Sequence, residues 1–279
     1  MNRQARGAVQ SRTIVAAEHR TLFHEAGDGQ PVVLLHGSGP GVSAWSNWSE
    51  TLPELAKDHR VIAPDIAGFG GSTHQPGTVY DIKLWVAQLF GLLDHLGIGS
   101  ALLVGNSFGG GLALAAALRD SSRVDGLVLL GTPSGTFTMT EGLRSGWYYE
   151  PGLEEMERIL RLFPYDRSLV TEEMVRERYE ASAVPGAQEA FRSLIPEPAG
   201  VDTPVKGVPE ERLRTIDKPT LIVHGREDAV IPLDLALRSA KAIPDAELHV
   251  FGGCGHWVQL ERPRAFVGLV RDFVSRRLS

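Results

Sequence analysis

Ser107, Asp228 and His256 are residue types that could act together on a carbonyl carbon. Ser107 stands in "GNSFG" (105–109), a G-x-S-x-G pattern with an apolar run before it and an alanine–leucine helix pattern after it. Gly105 and Gly109 permit a strand-to-helix turn tight enough to push the serine outward on a strained backbone. A serine hydroxyl is a poor nucleophile at neutral pH until a base takes its proton, so a histidine and an orienting acid should follow. "HGREDAVIP" places Asp228 in the turn after the run 219–225, and "GGCGHW" places His256 in the loop after 246–252. The negative oxygen formed by attack needs fixed donors, typically two backbone N–H groups. The loop "HGSGPG" (36–41) predicts that the N–H of Gly39, with that of Phe108, forms this oxyanion hole.

Competing readings of the same residues are weaker. A serine ahead of a helix can be an ordinary N-cap, but flanking glycines are not needed for that. Glu227 adjoins Asp228 and should point the other way in a tight turn. His224 and His249 lie inside apolar runs, as core or surface filler, and His59, His74 and His95 are expected to be solvent-exposed.

The elements that must hold these residues follow from apolar spacing. Runs rich in Val, Ile and Leu at 31–37, 60–65, 101–106, 126–131, 219–225 and 246–252 predict buried strands. Helix-like patterns at 83–96, 108–119 and 263–277, with "LDLALRSAKAI" from 233, alternate with them, so a mostly parallel sheet flanked by helices is expected. The segment 134–213 breaks the rhythm with charged helical patterns and Pro-rich turns and no comparable strand. The domains are therefore expected to be a core of 1–133 and 214–279 with an inserted helical cap over 134–213.

Composition narrows the partners. The 279 residues suffice for a large buried core, and a net charge of -6 without a basic run excludes a nucleic-acid or anionic membrane surface. The single cysteine, Cys254, cannot form an internal disulfide and is expected to be a small buried packing residue. With no apolar stretch in "MNRQARGAVQSR" and none long enough to span a bilayer, a cytoplasmic protein is expected. No metal-ligand spacing and no G-x-G-x-x-G after a strand occurs, so no metal and no cofactor is expected.

The order Ser107, Asp228, His256, each after a different strand, is that of the α/β-hydrolase fold. Within it, "LLHGSGPGVSAWSNW", "GNSFGG", "QEAFRSLIP", "HGREDAVIPLDLALR" and "HVFGGCGHWVQLERP" resemble the meta-cleavage product hydrolases, which cut a carbon–carbon bond in ring-opened catechols. The resemblance spans about 20 to 275. It implies substrate contacts at Ser38, Gly39, Asn47, Asn106, Arg192 and Trp257, an anionic 2-hydroxy-6-oxo-hexa-2,4-dienoate as the small-molecule substrate, and a homo-oligomer. Under it Arg192 would pair with the substrate carboxylate, and the cap with Phe108 would exclude water. Attack by Ser107 and attack by water activated at His256 both fit the residues. The rivals are a carboxylesterase or lactonase with the same triad, which would not need Arg192, Asn47 and Trp257 together, and a non-catalytic receptor on the same fold.

Overall fold

The computed structural model describes residues 8–72, 75, 77–194 and 204–278. In chain order the strands are β1 (Gln10–Ala16), β2 (His19–Ala26), β3 (Pro31–Leu35), β4 (Arg60–Pro64), β5 (Ala101–Asn106), β6 (Val124–Leu130), β7 (Thr136–Thr138), β8 (Pro204–Lys206), β9 (Thr220–Gly225) and β10 (Ala246–Phe251). The helices are α1 (Ala44–Trp48), α2 (Thr51–Leu55), α3 (Ile82–His95), α4 (Phe108–Arg119), α5 (Glu141–Trp147), α6 (Leu153–Leu160), α7 (Glu172–Ser182), α8 (Ala187–Leu194), α9 (Glu210–Leu213), α10 (Leu233–Ala242), α11 (Val258–Glu261) and α12 (Pro263–Arg277).

Eight strands form one sheet in the order β1-β2-β4-β3-β5-β6-β9-β10. Pairing is parallel from β4 to β10 and antiparallel at β1·β2 and β2·β4. The parallel strands are apolar on both faces because helices cover both. Val33, Leu35, Leu103 and Leu129 face α3, α4 and α10, whereas Val32, Leu34, Val104 and Val128 face α1, α2 and α12. All eight are at most 1% exposed, so the alternation of the strand pleat assigns each run's residues to two cores in turn.

Two features depart from the sequence expectation. The hairpin β1–β2 extends the sheet, and its turn carries Ala17 and Glu18 at positive φ (48° and 65°) instead of the usual Asn-Gly. The segment between β6 and β9 does contain strands, because β7 and β8 pair antiparallel as a two-stranded ribbon on either side of α5–α8. Three-residue strands give too short an alternation to be seen in a sequence.

The topology also sets where a site can lie. From β3 the chain steps to β4 on one side and later to β5 on the other, so the loops after β3 and β5 diverge and leave a crevice at the strands' C-terminal ends. Ser107 follows β5 and the glycine loop follows β3.

Candidate active site

The turn after β5 is a strained elbow. Ser107 has φ 53° and ψ -115°, and although it occupies the N-cap position of α4 its side chain makes no capping hydrogen bond. Such a conformation costs an L-residue of order 1–3 kcal/mol and persists because its surroundings allow no other. A Cβ at Gly105 would lie 2.4 Å from the Gly109 carbonyl oxygen, and one at Gly109 would lie 2.2 Å from that of Leu35. Only glycine fits at either place. The Ser107 N–H donates to Leu130 O at 2.7 Å and locks the elbow to β6.

The acid and base meet across two strand ends. Asp228 and His256 are at most 2% exposed in their side chains, and His256 Nδ1 donates to Asp228 Oδ2 at 2.8 Å. The other carboxylate oxygen accepts from the N–H groups of Val230 (2.8 Å) and Ile231 (2.9 Å), which holds the acid in the turn after β9. Burial opposes ionisation of Asp228, but His256 and these donors outweigh it and hold its carboxyl below the ordinary aspartate range. The pair packs on Gly131, where a Cβ would come 2.9 Å from His256 Nδ1. Glu227 turns away, accepting from Cys254 N at 3.1 Å and Arg226 Nε at 2.8 Å.

The glycine loop is fixed from below by a fully buried imidazole. Ile66 N donates to His36 Nε2 (2.9 Å), so the ring's proton is on Nδ1, which donates to Gly37 O (2.7 Å). Burial keeps His36 below the usual histidine pKa, and thus neutral. Ser43 then caps α1 through reciprocal bonds with Ser46, orienting the helix so that Asn47 is buried. Asn47 Nδ2 donates to Asn106 Oδ1 at 3.3 Å, and Asn106 Nδ2 reaches Leu130 O at 3.5 Å.

The helical segment supplies the opposite wall. Phe163 stacks on Trp257 (centroids 5.1 Å apart), and its carbonyl accepts from His256 N at 2.8 Å. On α7, Val175 and Ser182 are buried while Arg176, Glu177 and Glu180 face solvent, and Arg178 falls on the buried stripe. Its residue is half-buried overall but its guanidinium is enclosed. Burial draws its pKa down to about 10, which leaves it a cation at neutral pH. Nε and Nη2 both donate to Pro40 O, at 3.1 and 2.9 Å.

One inner cavity of about 20 Å³ is walled by Gly37, Ser38, Val42, Asn47, Asn106, Ser107, Phe163, Arg178, His256 and Trp257. A larger cavity of about 490 Å³ lies between the loops 39–43 and 68–72 and residues 181–191, and Val42 lines both. Ser38, Asn47, Asn106, Ser107, His256 and Trp257 are thus brought together, with Asp228 behind His256.

Three expectations need correction. Arg192 lies outside this wall: it is 58% exposed on α8 and pairs with Glu150, itself 78% exposed, at 2.7 Å. It follows Phe191, which is buried, and consecutive helix residues diverge by about 100°, so one faces in and the next out. Ser38 lines the inner cavity with Ser107, whereas Gly39 lines the outer one, where a Cβ on it would stand 3.4 Å from Arg178 Nη2. The Phe108 ring packs edge-on against Trp85 (4.7 Å) and against Phe69 (5.9 Å) instead of covering the site, although its N–H, first in α4, has no intrahelical acceptor.

The remaining candidates sort by burial. His59 is buried, contrary to expectation, His95 is exposed, and His74 lies outside the described residues. Arg178 and His224 are the site residues that sequence reasoning passed over. For Arg178 the available signal was a charge on the apolar stripe of an otherwise polar helix. Cys254 is fully buried, and its thiol is pushed up to about 12 by burial and by Glu261. We expect no alkylation of the native protein by iodoacetamide at a pH of about 8, and full alkylation after unfolding. Rapid native labelling would show an accessible thiolate.

Comparison with known proteins agrees with this geometry. Residues 30–263 match a family model described as the alpha/beta hydrolase fold. The 2-hydroxy-6-oxo-2,4-heptadienoate hydrolase of Pseudomonas putida F1 is 48% identical over 264 residues, covering 95% of this chain and 96% of the relative. The 2-hydroxymuconate semialdehyde hydrolase of Pseudomonas sp. CF600 is 47% identical, with 95% and 93% covered. A crystal structure of the meta-cleavage product hydrolase of Pseudomonas fluorescens IP01, a serine-to-alanine mutant complexed with acetates, superposes with a TM-score of 0.89 at 48% identity, covering 95% and 97% of the two chains. With a serine elbow, a buried acid–histidine pair and near-full-length likeness to these enzymes, this chain belongs to the meta-cleavage product hydrolases, the carbon–carbon bond hydrolases of the α/β-hydrolase fold.

Proposed function

We propose that the chain hydrolyses 2-hydroxy-6-oxo-hexa-2,4-dienoates with a small substituent at C6, giving 2-hydroxypenta-2,4-dienoate and a carboxylic acid. The observation that carries this reading is the Arg178 guanidinium enclosed in the same cavity wall as Ser107 and His256. A site that handled only neutral esters would gain nothing from a desolvated cation, whose burial is costly unless an anion meets it. The relatives at 48% and 47% identity, whose names specify a heptadienoate and a muconate semialdehyde, support a small C6 group.

The residues take the following roles. Arg178 receives the C1 carboxylate, exchanging its contact with the Pro40 carbonyl for a charge-assisted, two-pronged one. Asn47, Asn106 and the Trp257 N–H orient the enol oxygen and the carboxylate. A simple carbanion cannot leave, so C5 is protonated first. The resulting ketone lets the departing carbon delocalise its charge as a dienolate, and attack at C6 becomes an acyl cleavage. His256, oriented by Asp228, moves these protons, and the Ser38 and Phe108 N–H groups meet the charge on the C6 oxygen. The inner cavity's volume is close to that of one water, so substrate entry requires the wall between the two cavities to part. We assign residues 134–213 as a cap, from which Phe163 and Arg178 of this wall come. We further propose a cytoplasmic homo-oligomer, the first from the single reduced cysteine and the second from the family resemblance.

Steady-state assays test the reading. Purified protein should bleach the yellow 6-methyl dienoate with a kcat/KM at least about tenfold above that for its 6-phenyl homologue, and far above that for p-nitrophenyl acetate. An ester kcat/KM exceeding that of every dienoate would reject it.

A further inference from the structure

The acid of the site is flanked by a second imidazole. His224, on β9, has no solvent exposure, and its Nε2 lies 3.0 Å from Ile231 O and 3.4 Å from Asp228 Oδ2. Both of those oxygens, a carbonyl and an ionised carboxylate, only accept, so Nε2 must carry the proton. Nδ1 is buried without a hydrogen-bond partner, and as the unprotonated nitrogen it leaves no donor unsatisfied. Ile231 in turn donates its N–H to Asp228 Oδ1 at 2.9 Å. His224 therefore ties β9 to the turn 228–231, whose Ile231 N–H holds the carboxylate that orients His256. A histidine whose task was only to fill space would not need its N–H directed at the turn that carries the acid.

We propose that His224 is a positioning residue for the reaction, its Nε2–H holding the Ile231 carbonyl and with it the turn that carries Asp228. The charged and titratable groups around it are Asp228 and Asp234, which favour its cation, and His256, which opposes it. Burial is the largest influence and keeps His224 below the ordinary histidine range, hence a neutral donor while the enzyme works. The inference rests on the assignment of Asp228 and His256 as the orienting acid and the base.

His224→Phe keeps a ring and removes the donor, whereas the amide nitrogen of His224→Gln falls near the position of the imidazole Nε2. For the Phe variant kcat on the 6-methyl dienoate should fall about tenfold, with KM changed less than about threefold. His224→Gln should recover kcat to within about threefold of wild type. Unchanged kcat in the Phe variant, or equal losses in both variants, would reduce His224 to packing. Thermal unfolding of both variants identifies any loss that is only structural. Independently of folding of the variants, NMR of isotope-labelled histidine in the intact wild type should show the Nε2–H tautomer of His224 throughout the active pH range, and the Nδ1–H tautomer would overturn the proposal. Failure of the wild type on dienoates would reject the substrate reading alone, because the same ratios of kcat can be read on an ester.

Discussion

Replacing Ser107 by alanine should lower kcat on the dienoate by at least about a thousandfold while leaving substrate binding within about threefold of wild type. The hydroxyl is the only group at the elbow that can attack, but Arg178, Asn47, Asn106 and Trp257, which would hold the substrate, are untouched by the change. A single-turnover experiment should therefore show the yellow chromophore bound and persistent. A variant that retained more than about a tenth of wild-type kcat would mean that water activated at His256 suffices, and the serine would lose its assigned role. The elbow adds a second readout. Alanine keeps the strain of φ 53° and ψ -115°, whereas glycine relieves it, so Ser107→Gly should unfold at a higher temperature than Ser107→Ala although both are inactive. A lower melting temperature for the glycine variant would show that the backbone there is not strained.

Removing the Arg178 cation should cut kcat/KM for the dienoate by roughly 10²–10³, the loss expected when one partner of a desolvated charge pair is taken away. Arg178→Met keeps most of the side chain's volume and none of its charge. It also loses both bonds to Pro40 O, which tie α7 to the glycine loop, so some loss on every substrate is expected from loosened packing. The diagnostic quantity is a ratio. Activity on a neutral ester should fall no more than about threefold, because no anion is then left unpaired. Arg192→Ala should leave both activities within about twofold of wild type, since an exposed ion pair with Glu150 contributes little. Equal losses on dienoate and ester for Arg178→Met would make it purely structural. A dienoate-specific loss for Arg192→Ala would return the carboxylate site to α8.

The contrast between these two arginines explains much of what could and could not be read in advance. Both lie on short helices of alternating charge, and the likeness of "QEAFRSLIP" to the family pattern drew attention to the exposed one. Choosing between them requires knowing which stripe of each helix meets the loop 39–41, far away in sequence. The spacing of Val175, Arg178 and Ser182 hints at an inward charge, but a stripe of that length is weak evidence alone. Ser38 and Gly39 pose the same problem on a smaller scale. Both are adjacent in a glycine loop, and only the folded loop places Ser38 in the inner cavity with Ser107 and Gly39 in the outer one.

Features that depend on neighbours a few residues apart are legible along the chain. The apolar runs that become parallel strands, the elbow glycines around Ser107, and the turns that place Asp228 and His256 after successive strands are local patterns, and their order along the chain implies the fold. Long-range packing sets which residues between β6 and β9 wall the crevice, Phe163 and Arg178 among them, and brings the imidazole of His224 to the acid from inside β9. Those outcomes come from packing between segments distant in sequence, where desolvation and one or two hydrogen bonds assign a side chain its role, and no local spacing encodes them.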